Sequence, residues 1–557
     1  MKISTKILLS SVFTALLAIT TGCSDRSGAL VDCIPADEEF ALVGNIEDIV
    51  ESLGGTIENN KISLPSFVTQ ELSGQDFEQY KEYISKIKDS GIACENVAIA
   101  ANYKDYMPVF IVKVDDEKKF KRFAEDEGFD DEGEEDGIRF FLRREKSDYG
   151  DYYRDHAIGL KKGYAYYTQS SKYSDVKAQR VIERFIENAQ EAPMSRTKIG
   201  NFISKGQTIG GAFKIPKEAK REMRNSGMSA EAAAILDGYI CFSAKLEGDK
   251  LTGNLCALDE DGKKIDFSKA YESYYDKNAT VSSKALSYLN KKEQLVFAVS
   301  LKNVKWNKIL DQASANMYGQ SAMYIAIVKE YLNKIDGTVA MGFGFTGGLD
   351  ALESLNRNPL SAMSQISFTM VVETKPGKAK GVFNDITELL DNTGIAYSKS
   401  GKSNISMSLP ENMGDYYMKY DENLLIISTN PIKESGDNPV VKGYDLDDFF
   451  SGIGLVLDGK SELMKDLGLS AYNVGAFIAC DVKDNELKYE LKINGKNKEG
   501  VLGQLVRLGM DYYEYMQEMR RNSYNSYDDY DYYEEYDDYD DWEYTDSVAV
   551  VDDYYDY

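Results

Sequence analysis

One order of short elements occurs twice along this 557-residue chain, and it restricts the fold more than any other feature. Residues 34–49 parallel residues 289–304, since each segment runs from a polar turn through an apolar strand into a helix start. Residues 95–101 match residues 337–343 in the same way. Identities are few, so it is the preserved order of the elements that indicates an internal repeat.

Five further pairs of segments continue the repeat in the same order. They are 109–123 with 366–390, 139–142 with 404–407, 157–168 with 416–429, 210–218 with 454–462, and 238–259 with 475–494. This order predicts an α+β fold with two pseudo-symmetric duplicated domains, 34–275 and 285–510. Their sheets should be mainly antiparallel, because hairpins dominate each copy. Chance similarity among short strands is the alternative interpretation.

The N-terminal residues have the pattern of an export signal that ends in a lipid-attachment site. Two lysines precede an apolar run over residues 7–19, which is too short to span a membrane, and small residues then lead to Cys23. We predict that residues 1–22 are a lipoprotein signal peptide, that Cys23 is acylated, and that residues 23–33 link the anchor to the body. An ordinary secretory signal with an incidental cysteine is the alternative.

Acidic charge is concentrated at the C-terminal end. The net charge is −27, and residues 511–557 contribute −15 of it through 12 Asp, 5 Glu and 2 Arg. This balance argues against a nucleic-acid partner and against direct adhesion to anionic lipid, so the N-terminal acyl chains are the predicted membrane contact. We predict a closing helix over 501–521 and then a disordered acidic tail rich in Tyr and Asp. The tail is either a spacer or a contact for an envelope protein or a glycan.

Residues 454–461 formally match the phosphate-loop pattern of Gly, four residues and Gly-Lys-Ser. The four intervening residues are Leu-Val-Leu-Asp, which favour a strand over the flexible turn that wraps phosphate groups. The matching segment of the first copy has Pro216, which has no N–H to offer a phosphate. We interpret the segment as a strand that leads into a helix, and we predict no nucleotide and no cofactor.

No pattern identifies catalytic or metal-binding residues. His156 is the one histidine, which nearly excludes histidine-based chemistry, and we expect it at the surface or in a turn. The acidic loops 130–136 and 259–262 lack the spaced ligands of a calcium loop, so we predict no metal site. A pair of carboxylates stays open as a catalytic centre, because 92 acidic residues allow many pairings.

Four of the six cysteines are candidates for disulfide bonds. If residues 248–249 form a hairpin turn, the register places Cys241 opposite Cys256. An oxidising compartment would permit a bridge, whereas the alternative is a pair of buried thiols. Cys33 and Cys94 form a second candidate pair, since each precedes an early strand.

The order of elements, together with the Ile-Pro-Ala-Asp start at residues 34–37, resembles a family of uncharacterised Bacteroidetes outer-membrane lipoproteins, a domain of unknown function with two related halves. The resemblance covers most of residues 30–510 and implies an outer-membrane lipoprotein with no known activity. Surface-exported lipoproteins of this kind are typically acid-rich after the anchor. Here only Asp25 is acidic among the six residues after Cys23, which favours the periplasmic face.

These patterns favour a lipid-anchored envelope protein that binds or scaffolds a partner over an enzyme. The groove between the two domains is the expected binding site, because ligands favour domain interfaces. The alternative is a carboxylate-based hydrolase of envelope glycans or peptides. Two carboxyls that converge in a deep cleft would favour the hydrolase, and a flat groove with scattered polar residues would favour binding.

Overall fold

The structure, a computed structural model, describes residues 27–71, 86–102, 107–146, 153–170, 176–204, 207–225, 236–266, 275–314, 328–357, 363–409 and 414–525. The chain divides into two compact units, Met1–Tyr512 and Tyr513–Tyr557. The predicted domains 34–275 and 285–510 both fall in the first unit, and we call them the first half and the second half. Cys23 and the predicted acidic tail beyond residue 525 lie outside the described residues.

In the described residues, twenty strands form one sheet, and a separate hairpin consists of β2 and β3. The first half contributes β1 Phe40–Asn45, β2 Thr56–Glu58, β3 Lys61–Ser63, β4 Ile92–Ala101, β5 Val109–Val114, β6 Asp130–Glu135, β7 Ile138–Lys146, β8 Tyr153–Lys161, β9 Tyr164–Gln169, β10 Ile209–Lys214, β11 Tyr239–Glu247 and β12 Lys250–Leu258. The second half contributes β13 Leu295–Ser300, β14 Ile335–Phe345, β15 Ile366–Thr374, β16 Tyr397–Lys399, β17 Asn404–Ser408, β18 Asp415–Asp421, β19 Leu424–Ser428, β20 Ser451–Leu457, β21 Asn473–Asp481 and β22 Glu486–Asn494.

The described helices lie between groups of these strands and at the two ends of the described chain. They are α1 Ser27–Val31, α2 Ile46–Ser52, α3 Ser66–Glu71, α4 Glu117–Asp126, α5 Ala178–Glu191, α6 Lys198–Ser204, α7 Lys217–Asn225, α8 Ser283–Leu286, α9 Trp306–Ser314, α10 Gly348–Arg357, α11 Lys378–Thr393, α12 Pro439–Gly443, α13 Glu462–Asp466 and α14 Val501–Asn525. Short 3-10 turns occur at Met194–Arg196, Met363–Gln365 and Leu446–Asp448.

Every strand pairing among the described residues is antiparallel, which confirms the predicted α+β fold with a mainly antiparallel sheet. From one edge to the other, the first half contributes the order β6-β7-β8-β9-β5-β4-β1-β10-β11-β12. The second half continues it as β22-β21-β20-β13-β14-β15-β19-β18-β17-β16. The halves join where β12 pairs with β22, with Leu255 opposite Leu487.

Strands of the two halves pair in the same order on either side of this junction. In the first half β1 lies between β10 and β4, with Phe40 opposite Ala101. In the second half β13 lies between β20 and β14, with Leu295 opposite Phe343. The sequence comparison had matched Phe40 with Leu295 and Ala101 with Phe343, in agreement with these registers. The origin of this match by duplication stays a prediction.

One face of the sheet carries a separate apolar core in each half. Cross-strand partners point to the same face, so the registers place Ala212 and Cys241 of the first half on the same face as Val296 and Phe477 of the second. The core of the first half is covered by α5, and that of the second by α12 with Val440. The middle of this face, near β12 and β22, is polar.

The opposite face is covered near each edge by a helix of matching position. Helix α4 begins at its N-cap Asp116, whose carboxylate accepts from two backbone N–H groups, and it buries Phe120 against Phe141. Helix α11 buries Phe383 in a cluster with Ile405. Their apolar residues recur at helical spacing, which explains why each helix packs one face on the sheet.

Helices lie at both ends of the described chain. Helix α1 begins at Ser27, so the predicted linker 23–33 already contains folded structure, and Leu30 and Val31 are buried because α1 packs against β1 and α6. The predicted closing helix is confirmed as α14, which continues to Asn525. Among the helices of the described residues, none combines the length and the apolar composition that crossing a bilayer requires.

Candidate functional site

A groove of about 360 Å³ lies over the sheet where the two halves join, and we call it the junction groove. Its floor is polar because strands β11, β12 and β22 turn hydrophilic side chains to the same face. Register pairs Lys245 with Thr252 on one side and Asn254 with Lys488 on the other. The polar floor consists of Ser243, Lys245, Thr252, Asn254, Lys488 and Glu490.

Aromatic rings form one wall of the junction groove. Phe477 stacks on Tyr444 with ring centroids 4.7 Å apart, and Phe449 lies 5.6 Å from Phe477. These rings pack with the core of the second half, so the wall is held in place by burial. Burial, and then the charge of Glu490, raises the pKa of Tyr444 to about 12, so its hydroxyl keeps its proton at neutral pH.

The charges of the groove are balanced by neighbouring side chains. Lys488 Nζ lies 3.5 Å from the carboxylate of Asp481 and 5.2 Å from the centre of the Phe449 ring. Glu490 Oε1 lies 3.3 Å from Lys250 Nζ. Since both signs are present and paired, the groove favours a polar ligand without a large net charge.

Tyr489 connects the two halves through a hydrogen bond at the junction groove. Its hydroxyl donates to the backbone carbonyl oxygen of Ser243 over 2.7 Å, so β22 of one half is bonded to β11 of the other. The ring crosses Gly253, where a Cβ would lie 2.4 Å from ring atoms. Glycine is therefore needed at residue 253 for this close approach.

A carboxyl with an unusual environment lies at the start of the second half. Glu293 is fully buried, and its Oε2 accepts from the backbone N–H of Asn290 over 2.8 Å. Its Oε1 has no hydrogen-bond partner among the described residues. Burial raises the pKa of Glu293 to about 7, and hydrogen bonds from Thr369 and Asn290 oppose the rise. The amide of Asn438 donates to the carbonyl oxygens of Asn290 and Glu293, which ties this turn to α12.

The predicted register of the β11–β12 hairpin is confirmed, because Cys241 lies directly opposite Cys256. Both side chains are buried, and all five described cysteines are free thiols in the structure. Burial raises the pKa of Cys256 to about 11 and that of Cys241 further. A disulfide between them in an oxidising compartment stays a prediction.

The second predicted cysteine pair is not brought together by the fold. Cys33 packs in the core beside α1, with Sγ 3.6 Å from the carbonyl oxygen of Ala29. Cys94 lies in another cluster with α2, and its Sγ is 3.5 Å from the carbonyl oxygen of Asn60. Burial raises the pKa of each thiol to about 11. A bridge between them would require the two clusters to rearrange.

His156 differs from its predicted position at the surface or in a turn. It lies within β8 and is 5% exposed, because this strand is buried on both faces from residue 156 to 160. Its Nδ1 is 2.8 Å from the hydroxyl of Tyr167, and its Nε2 is 3.5 Å from Glu145. Burial, and then the charge of Arg143, lowers the pKa of His156, so the ring is neutral at neutral pH.

Neither motif weighed in the sequence forms a site in the described residues. Gly454 lies within β20 and pairs with Val296 and Phe477, as predicted for a strand, and Ser461 caps α13 by accepting from the N–H of Met464. No group of three or more His, Cys, Asp or Glu side chains in the described part of the chain is placed to hold a metal ion.

The sequence analysis expected a binding site in a groove between the two predicted domains, but it did not predict which residues line the junction groove. Along β22, Lys488 and Glu490 alternate with Leu487, Tyr489 and Leu491, which marks a strand with one polar face. That alternation was the available signal. It does not say that β12, more than 230 residues earlier in the chain, lies beside β22.

No protein-family model and no curated protein matches this sequence. Among solved structures, the chain is similar to crystal form III of TP0453, with 8% identity and a TM-score of 0.26 over 45% of this chain and 88% of that chain. Crystal form IV of TP0453 gives 9% identity and a TM-score of 0.25 over 41% and 79% of the two chains. Scores of this size give no basis for transferring a fold or an activity, so function must be argued from this chain's own residues.

Proposed function

We propose that this chain is a cell-envelope lipoprotein, anchored to the outer membrane through acylated Cys23, that binds an envelope saccharide in the junction groove. The body would face the periplasm, and its function would be binding or scaffolding. The proposal includes kinship with the Bacteroidetes lipoprotein family that the sequence resembles. The junction groove is the observation that carries it.

The make-up of the groove supports a saccharide as the ligand class. Sugars offer many hydroxyl groups and an apolar ring face, and they carry little net charge. The hydroxyl of Thr252 and the amide of Asn254 match the first property, and the wall of Phe449 and Phe477 matches the second. The paired charges of Lys488 and Glu490 add donors and acceptors without a net field.

The start of α1 sets the length of the tether that the proposed anchor would have. Only three residues separate Cys23 from Ser27, where folded structure begins, so the chain can place the body at most roughly 14 Å from the lipid. If Cys23 carries the acyl chains, a Cys23→Ala variant should lose its acyl mass and leave the membrane fraction. Cys480→Ala, at a partly exposed cysteine of β21, is the matched control and should keep both. A Cys23→Ala protein that stays fully membrane-bound would contradict the anchor.

Binding is tested with purified envelope saccharides and the detergent-extracted protein, by calorimetry or ligand-observed NMR. An Asn254→Ala/Lys488→Ala variant should bind at least about tenfold more weakly, since it removes two polar contacts of roughly 1 kcal/mol each. Lys399→Ala/Lys402→Ala, two exposed lysines near β16 at the far edge of the sheet, should bind as the unaltered chain does. Equal binding by the groove variant would contradict the site.

The hydrolase alternative has less support from the groove. Among its described lining residues, Glu490 is the one carboxyl, and it is held by Lys250. A glycosidase needs a second carboxyl across the scissile bond. The saccharides recovered from the binding experiment should therefore be intact, and shortened products would favour the hydrolase.

A further inference from the structure

A pocket of about 240 Å³ lies beside α1, apart from the junction groove, and we call it the α1 pocket. The segment that contains α1 forms one side, the turn between β8 and β9 forms the second, and the C-terminal turns of α5 form the third. Cys33 and Ile186 give the pocket an apolar part, and Tyr164 and Tyr166 add two aromatic rings. Apolar walls with a few polar groups are typical of a ligand site.

Three charged side chains line the α1 pocket without pairing with one another. Lys161 and Lys162 lie at the β8–β9 turn, and Asp32 follows α1. Among the described residues neither lysine forms an ion pair, and the ammonium of Lys161 donates to the backbone carbonyl oxygen of Asp136 over 3.3 Å. Asp32 accepts from the hydroxyl of Ser195 and likewise has no ion pair in this part of the chain. Unpaired charges of both signs in one pocket complement a ligand that carries both.

The matching position of the second half is closed by its own side chains. The alignment of the two halves, extended by one residue towards the N-terminus, matches Cys33 with Tyr288. The β8–β9 and β18–β19 turns match as well, so Lys161 at the end of β8 corresponds to Asp421 at the end of β18. Tyr288 is buried, and its hydroxyl donates to the carboxylate of Asp421. Its ring therefore spans the space between helix and turn that is open in the first half.

The charges around Tyr288 are also paired within the second half. Lys419 Nζ lies 3.3 Å from the carboxylate of Asp421, and Lys284 Nζ lies 2.7 Å from that of Glu434. The first half instead has a short side chain in place of the tyrosine and a cation in place of the aspartate. It therefore has both an open volume and unpaired charges, as expected if a ligand occupies this position.

The α1 pocket lies beside the proposed anchor, since Ala29 on its wall is six residues after Cys23. Six residues span at most roughly 21 Å, so the acyl chains would hold the pocket within reach of phospholipid headgroups. We propose that the α1 pocket binds a zwitterionic phospholipid headgroup, with its phosphate on Lys161 and Lys162 and its primary ammonium on Asp32. This contact rests on the anchor that the proposed function includes.

A phosphoethanolamine headgroup complements all three charged side chains at once. Its phosphate and its ammonium are two carbons apart, and both form charge-assisted hydrogen bonds, which are among the stronger ones. The rings of Tyr164 and Tyr166 offer the ammonium an aromatic face. Burial raises the pKa of both tyrosines, so their hydroxyls keep their protons at neutral pH. A lipid without net charge also suits a chain that carries −27.

The test is amide hydrogen exchange of the full acylated chain in nanodiscs of phosphatidylcholine, with and without phosphatidylethanolamine. Residues 28–34 and 161–166 should exchange at least about fivefold more slowly with phosphatidylethanolamine, because the headgroup must leave before these segments open. Phosphatidylcholine has no N–H to donate to Asp32, and phosphatidylglycerol has no ammonium. Discs with phosphatidylglycerol in place of phosphatidylethanolamine should therefore give no such protection.

Two variants assign the protection to the α1 pocket. Lys161→Ala/Lys162→Ala should abolish it, whereas Lys399→Ala/Lys402→Ala, at the far edge of the sheet, should preserve it. Cys33→Tyr introduces the side chain of the second half, so it should fill the pocket and abolish the protection as well. If Cys33→Tyr does not fold, the lysine variant alone decides.

The outcomes separate the headgroup site from the anchor. Equal exchange with and without phosphatidylethanolamine, protection that survives Lys161→Ala/Lys162→Ala, or equal protection by phosphatidylglycerol would overturn the site. Equal protection by soluble glycerophosphoethanolamine on phosphatidylcholine discs would overturn the lipid as its occupant. The N-terminal peptide of the same digest reports acylation. An acylated chain without protection refutes the headgroup site and leaves the anchor, whereas a peptide without acyl mass refutes the anchor and the contact with it.

Discussion

The helices that follow β10 and β20 occupy matching positions in the two halves but contact different surroundings. Helix α13 buries Leu463 and Met464, and Met464 lies in a cluster with Tyr472 and Val501 of the second half. Helix α7 buries no residue and presents cations instead. The helix at this position therefore contributes to the core in the second half and forms a charged surface in the first half. Strands that match in order and register therefore do not imply that the helices after them pack in the same way.

The largest expected effect separates the two helices by stability. Met464→Ala should lower the free energy of unfolding by about 2–5 kcal/mol, because it removes a side chain that is 1% exposed. Met223→Ala in α7 should change it by less than about 0.5 kcal/mol. Urea denaturation of both variants measures the difference. Equal losses would show that α7 is packed as α13 is, and the comparison would fail.

A second prediction concerns the turn before the first strand of the second half, where Glu293 is fully buried; the matched Glu38 of the first half is also buried, at 6% exposed. The pKa of Glu293 is about 7 when folded and near 4.5 when exposed, so the unfolded state releases its proton first as pH rises. Stability is then lost between pH 4.5 and 7, by about 3 kcal/mol when the loss is complete.

Glu293→Gln cannot ionise, so the variant should lack this fall and should be the more stable protein above pH 7. Unfolding free energies measured from pH 4.5 to 8 test the prediction. Glu388→Gln, at an exposed carboxyl of α11, should leave the fall in place. A Glu293→Gln protein with an unchanged pH profile would contradict the buried, raised-pKa carboxyl.

The junction itself should respond more weakly to a single change. Tyr489→Phe removes the hydrogen bond to the Ser243 carbonyl oxygen and should cost about 1 kcal/mol of unfolding free energy. Tyr397→Phe removes an exposed hydrogen bond to Asp391 in the second half alone and should cost less. If thermal or urea unfolding shows equal losses, the hydrogen bond between the halves stabilises the protein no more than an exposed hydrogen bond does.

The smallest effect on stability is expected from a change of charge at exposed residues of α7. Lys217→Glu/Arg221→Glu should leave the free energy of unfolding within about 0.5 kcal/mol of the unaltered chain, since neither side chain is buried. A large loss of stability would assign α7 to the fold of the first half.

The sequence predicted local structure well because local patterns determine it. The alternation of apolar residues marked β1 and β13, and the two-residue turn at 248–249 was enough to place Cys241 opposite Cys256. The alignment of residues 34–49 with residues 289–304 agrees with the strand pairing. Phe40 and Leu295, which the alignment matches, lie opposite Ala101 and Phe343, which it also matches.

Long-range features escaped prediction for a physical reason. The pairing of β12 with β22 depends on two strands far apart in sequence, and no local pattern encodes it. The burial of Glu293 and of His156 depends on which strands surround them, so composition alone placed His156 wrongly at the surface. The pairing of Cys33 with Cys94 was inferred from chain order, which does not say that α1 and α2 pack in different clusters.

The central claim, that the junction groove is the binding site, is tested most directly by fluorine NMR of protein labelled with fluorophenylalanine. The chain has 23 phenylalanines, and Phe449→Leu and Phe477→Leu would assign the two resonances of the wall. Addition of an envelope saccharide that binds should shift those two resonances more than the resonances of the other phenylalanines. Saturable binding that leaves both resonances unmoved, while phenylalanines elsewhere shift, would contradict the account.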